Sequence, residues 1–217
     1  MSEKSQLVLL SHYNRLMNER LYAATAKMPE ALQREDRGAF FGSVIGTLNH
    51  ILIGDILWLK RFARHPSGYR TLEPVLAMGD PTSLREIRFV DWAELQAARG
   101  QMDQMIVDWC AEVREEDLAK PLAYRDFAGR PHRKNLGGLA LHLFLHQIHH
   151  RGQATTLLSQ AGIDFGDTDL PELLPKKVQR SGAARRPPRA ISGSPDGIEQ
   201  CYEGLISKKA VEFGGSR

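Results

Sequence analysis

The chain is poor in cysteine: among 217 residues only Cys110 and Cys201 carry a thiol. Two cysteines cannot build the disulfide framework of a small secreted domain or a four-sulfur structural zinc site. Long apolar runs are missing too. The most apolar stretch, Ser43 to Phe62, is interrupted by His50, Asp55, Lys60 and Arg61, which excludes a membrane-spanning helix there. The N-terminus, Met1-Ser2-Glu3-Lys4-Ser5-Gln6, lacks the basic start and continuous apolar core of a secretion signal. A cytoplasmic address is the expectation. A metal site in such a chain has to be made of histidine and carboxylate. Eight histidines are present, four of them between residues 142 and 150.

Hydrophobic content of 42% and charged content of 25% are those of an ordinary globular protein. The net charge of +3 is unevenly spread. Residues 175–217 hold nine Lys or Arg against four Asp or Glu, whereas residues 1–174 hold twenty against twenty-two. The body is mildly acidic and the tail is basic, so the high isoelectric point is no argument for nucleic-acid binding by the folded part. The tail is rich in Arg, Pro, Gly and Ser without apolar periodicity, and disorder is expected for it. The division is therefore one folded domain, 1–174, and a basic disordered extension, 175–217.

Four long helices are predicted. Leu10, Tyr13, Met17, Leu21 and Ala24 recur at helical steps within residues 4–27, and Met28-Pro29 ends that run. A second helix runs from Ser43, as N-cap, to Arg64. Gly46 and Gly54 inside it point to close approach of a neighbouring helix, since each costs about 1 kcal/mol relative to alanine in an exposed helix. Residues 65–90, with three prolines, form a long connection that crosses over the domain. Asp91 followed by Glu94 resembles a capping box and opens a third helix. Residues 121–135 read as a small hairpin turning at Gly129. The fourth helix spans Leu136 to Ala161, with Gly162 as its C-terminal cap. The fold class is all-α: a four-helix bundle with a long crossover between helices two and three and a small hairpin before helix four.

Residues four apart on a helix face the same way, so His146 and His150 offer two imidazoles to one ion. His142 lies one turn earlier on the same stripe, and His149 about 60° to the side. Two imidazoles are incomplete for zinc or its neighbours, which take at least three protein ligands. His50, inside the apolar second helix, is the natural third, because an unpaired polar ring there is costly to bury. On spacing alone, a metal site and a set of hydrogen-bonded core histidines are both open.

Three stretches resemble the DinB family, metal-binding four-helix proteins named for damage-inducible expression. They are Tyr13 to Tyr22, Gly46 to Leu59, and His142 to Gln153 with its His-Arg-Gly-Gln signature, continuing through Leu157 to Gly162. The resemblance runs from about residue 4 to Pro175. It implies a divalent ion, zinc or nickel, on His50, His146 and His150, and often a homodimer. The wider superfamily includes transferases and isomerases using low-molecular-weight thiols. The family commonly has asparagine where this chain has Leu145.

Three functions follow as expectations. The first is a metal-dependent enzyme that activates a thiol or water at an open coordination position, of thiol S-transferase or hydrolase type. His142, His149, Asn49, Asp55 and Arg151 are then candidates to support the ligands, move protons or meet an anionic substrate. The second is a non-catalytic metal-binding module of a stress response, marked by a fourth protein ligand or by an ion with no adjoining pocket. The third, nucleic-acid binding through the basic tail, is disfavoured because the tail lacks interleaved aromatic residues.

Overall fold

The computed structural model describes residues 1–174. The disordered extension expected for 175–217 lies outside them. Residues Met1–Asp167 form one compact unit, and a second begins at Thr168.

The expected long helices are present, each started by the cap its sequence encodes. Helix α1 spans Glu3–Thr25, with the Ser2 hydroxyl accepting from the Ser5 N–H. Pro29 then opens a short helix α2, Glu30–Arg34. Helix α3 spans Val44–Ala63, and the Ser43 hydroxyl accepts from the Gly46 N–H at 3.0 Å. Two segments missed from sequence lie in the crossover, a 3₁₀ turn at Arg70–Leu72 and helix α4 at Glu73–Leu76. Leu72 and Val75 are fully buried, so this connection is anchored rather than structureless. Helix α5, Trp92–Glu112, is capped by Asp91, which accepts from the Glu94 N–H at 2.9 Å. A short helix α6, Glu115–Leu118, precedes strands β1, Pro121–Arg125, and β2, Pro131–Asn135. These pair antiparallel with Leu122 opposite Lys134 and Tyr124 opposite His132. Helix α7 spans Leu136–Gln160 and ends in a Schellman motif. In it Gly162, at φ +74°, donates to the Ser159 carbonyl and Ile163 donates to Leu158.

The fold is all-α apart from the two-stranded hairpin. Helix α1 packs on α5 and α7, and α3 packs on α7 and α5. The apolar core between them centres on Trp109 stacked on Phe62, with ring centroids 4.7 Å apart. Among the described residues no helix is long and apolar enough to cross a membrane.

The same interior holds a polar network that draws on all four long helices. Arg99 of α5 pairs with Asp55 of α3 at 2.5 Å and with Asp103 one turn away. Asn14 and Asn18 of α1 donate to Asp103. Gln147 of α7 donates to Asp55 and accepts from Asn18. Arg151 donates to Asn14, Asn18 and Gln147. All seven residues are buried. Two guanidiniums balance two carboxylates, and the amides occupy further donor and acceptor positions, as buried charge requires. Burial still raises the Asp55 carboxyl above its usual range, with Arg99 offsetting part of the effect. Asp55→Ala leaves Arg99 short of one partner and Gln147 without its acceptor. It should lower unfolding stability by about 3 to 5 kcal/mol, and an unchanged urea midpoint would count against the network as a structural keystone.

Candidate metal centre

On α7 the network residues Gln147 and Arg151 form one column. His146 and His150 form the next, about 100° around the axis. With the first column directed inward, the second faces α3. There His50 stands one turn before Gly54. His50 Nε2 lies 3.1 Å from His146 Nε2 and 3.2 Å from His150 Nε2. The three ligand atoms are within 4.8 Å of one another.

The protons of these rings decide what the cluster can do. His50 Nδ1 lies 2.8 Å from the Leu84 carbonyl, and His150 Nδ1 lies 2.8 Å from Gln153 Oε1. A carbonyl only accepts, so each Nδ1 carries the proton and each Nε2 presents a lone pair. Two such lone pairs 3.2 Å apart are not a hydrogen bond; they repel unless a cation sits between them. Ligands about 2.05 Å from an ion are about 3.3 Å apart in a tetrahedron and about 2.9 Å apart on an octahedral face. The two separations from His50 fall between these limits. Burial also keeps the rings neutral. It lowers His146 to about 3, helped by the neighbouring histidines, and His50 to about 4. His150 is lowered by burial, partly offset by its bond to Gln153. Neutral imidazoles are what a divalent cation needs; His50 and His150 present converging Nε2 lone pairs, while His146 Nδ1 is buried with no hydrogen-bond partner among the described residues.

The surroundings fix each ring. Phe41 stacks on His50 with centroids 3.7 Å apart and meets His150 edge-on. Gly54 lets His146 approach: a Cβ there would lie 2.7 Å from His146 Cε1. The expected close approach of a neighbouring helix is therefore real at Gly54. At Gly46 the close neighbour is instead the Phe41 carbonyl of the preceding loop. Leu145, where the family commonly has asparagine, is exposed, so this departure leaves the ligand rings untouched.

The supporting residues expected from sequence divide into two groups. His142 and His149 lie beside the cluster, with ring centroids 6.0 Å from His146 and 4.7 Å from His150 respectively. His142 also meets Trp58 edge-on. Trp58 is half-buried and lines the site pocket. Asn49 exchanges two hydrogen bonds with the Phe89 backbone and pins the end of the crossover. Asp55 and Arg151 belong to the buried network, and Arg151 meets no anionic ligand from there. Phe41, Leu84 and Gln153 were missed. Only Gln153, three residues after His150 in the His-Arg-Gly-Gln signature, had a sequence signal.

His50 and His146 line a cavity of about 490 Å³ together with Trp58, Arg61, Leu84 and Phe127. It adjoins a groove of about 660 Å³ between α3 and the hairpin, the two sharing Leu57, Arg61, Asp126 and Phe127. Among the described residues no fourth histidine, cysteine or carboxylate joins the cluster.

An all-helical unit with three histidines converging from two long helices, open on one side, defines a class of helical proteins with a candidate metal centre. Residues 1–181 match the DinB family model, and the chain belongs to the DinB family. It is 24% identical over 164 residues to Protein DinB of Bacillus subtilis (strain 168), covering 74% of this chain and 88% of that protein. No solved structure matches it significantly. Gly54→Ala should leave the helices formed but push the His146 ring out of place. We expect divalent-metal affinity to fall about tenfold in a chelator competition, and unaltered affinity would remove Gly54 from the site's design.

Proposed function

We propose that the protein is a metal-dependent enzyme that activates a low-molecular-weight thiol, or water, at a centre formed by His50, His146 and His150. One observation carries this reading: two imidazoles locked as acceptors point their lone pairs at one another beside an open cavity. An ion held only for structure would have a closed ligand set and no adjoining pocket. A divalent ion on three neutral imidazoles keeps its full charge and lowers the pKa of a bound thiol or water into the physiological range. Zinc and nickel both suit imidazole donors. The chain supplies the remainder: Phe41 and Leu84 hold His50, Gln153 holds His150, and the buried network sets the face of α7.

Thiol transfer, of S-transferase type, is favoured over hydrolysis by family resemblance. A cytoplasmic setting, where such thiols are plentiful, belongs to the same proposal. So does a homodimer, supported by Leu141, Leu145 and Ile148, which form an exposed apolar stripe along the outer side of α7.

Metal analysis should find about one ion per chain in the purified protein and a loss of most of it in His50→Ala and His146→Ala. Stoichiometric metal in both variants would overturn the centre. With the metal present, a panel of thiols and an electrophilic acceptor should show thiol consumption that chelation abolishes. Its absence across the panel would move the reading to hydrolysis or to a non-catalytic module. For the dimer, Leu145→Glu should halve the mass measured by light scattering, and a monomeric parent protein would reject that part.

A further inference from the structure

The cavity beside the histidines carries a cation that, among the described residues, has no hydrogen-bonded anionic partner. Arg61 is half-buried, and its guanidinium sits 4.5 Å from the ring centroid of Trp58 and 4.9 Å from that of Tyr124. Flanking rings hold a guanidinium by its face and leave its N–H edge free to bind. Of the neighbouring basic side chains, Lys60 is paired with Asp80, Arg130 with Asp126, and Arg125 with the Gly129 carbonyl, while Arg64 is exposed and lines the groove but not the cavity. Asp126, whose charge favours the Arg61 cation, accepts from Arg130, His132 and two backbone N–H groups of its own turn. Among the described residues no carboxylate or carbonyl pairs with Arg61. It lines both the cavity containing His50 and His146 and the groove that leads away from it.

Position along α3 sets the spacing. His50, Gly54, Leu57, Trp58 and Arg61 follow one face of the helix, and eleven residues span about 16 Å of axis. The His50 and Arg61 side chains both lean toward the N-terminus, so only the greater length of arginine shortens that separation, leaving the guanidinium on the order of 10 to 15 Å from the histidines.

We propose that Arg61 is the receptor for a carboxylate on an elongated small-molecule ligand whose other end reaches the three-histidine centre. Trp58 and Tyr124 hold the guanidinium, Phe127 and Leu57 cover the connecting chain, and the planar fork binds the carboxylate with two parallel hydrogen bonds. Only the far end of the ligand rests on the metal reading. The carboxylate contact stands apart from it.

The test compares 8-mercaptooctanoate with 8-mercaptooctanol by calorimetry on the full chain, once cobalt-loaded and once stripped by chelator. The acid should bind about tenfold more tightly than the alcohol. Arg61→Gln should erase that preference while leaving alcohol affinity and cobalt content unchanged, and Arg61→Lys, keeping charge without the fork, should retain part of it. Equal binding of acid and alcohol by the unaltered protein, failure to bind either, or a preference that survives Arg61→Gln would each overturn the proposal. If the preference depends on Arg61 but is the same with and without cobalt, and no thiolate-to-cobalt absorption develops, the Arg61 site stands and the metal reading falls.

Discussion

Four charges buried among four helices constrain the rest of this molecule. Asp55, Arg99, Asp103 and Arg151 would each be prohibitive alone in the interior. They are tolerated because two carboxylates face two guanidiniums and because Asn14, Asn18 and Gln147 occupy further donors and acceptors. Apolar packing would accept many small rotations of one helix against another. A polar network accepts one, since any other leaves a charge unpaired. Each long helix contributes at least one member, so the network sets the rotation of all of them together.

The candidate metal centre inherits that precision. On α7 the ligands His146 and His150 directly precede the network residues Gln147 and Arg151. On α3, Gly54 directly precedes Asp55, and His50 lies one turn before Gly54. Ligand columns and network columns are thus side by side on both helices. Turning α7 by one residue's worth of arc would carry Gln147 and Arg151 to the histidine face and strand two ligands elsewhere. The crossover supplies what the helices cannot. Asn49 ties its end at Phe89, and its Leu84 carbonyl selects the tautomer of His50.

Much of the fold was legible because its signals are local. Ser43, Asp91 and Gly162 cap the helix ends expected of them, and the turn at Gly129 closes the predicted hairpin. The short pieces at Glu30–Arg34, Arg70–Leu76 and Glu115–Leu118 were not legible, since they are too brief for a period and are held by tertiary contacts such as Glu112 on the Arg70 and Thr71 backbone. In the site, the four-residue spacing exposes His146 and His150, whereas His50 gains its place from family resemblance. Asp55 and Arg151 were expected near the ion. A charge inside an apolar helix announces a buried polar partner without saying which one, and here the partners are each other's neighbours. Phe41 and Leu84 come from irregular segments, where no periodicity marks a residue that will touch His50.

Gly54 has a consequence for which ions the proposed centre would select. With the backbone of α3 against its ring, His146 has little room to change rotamer, so closing around an ion costs it little conformational entropy. A rigid imidazole is a strict one. It rewards an ion whose preferred bond angles match the gap already formed and gives nothing back to one that needs the ring to swing. Discrimination between metals at the proposed centre would then lie in the shape of the gap, added to the order of affinity that imidazole donors impose on any set of divalent ions.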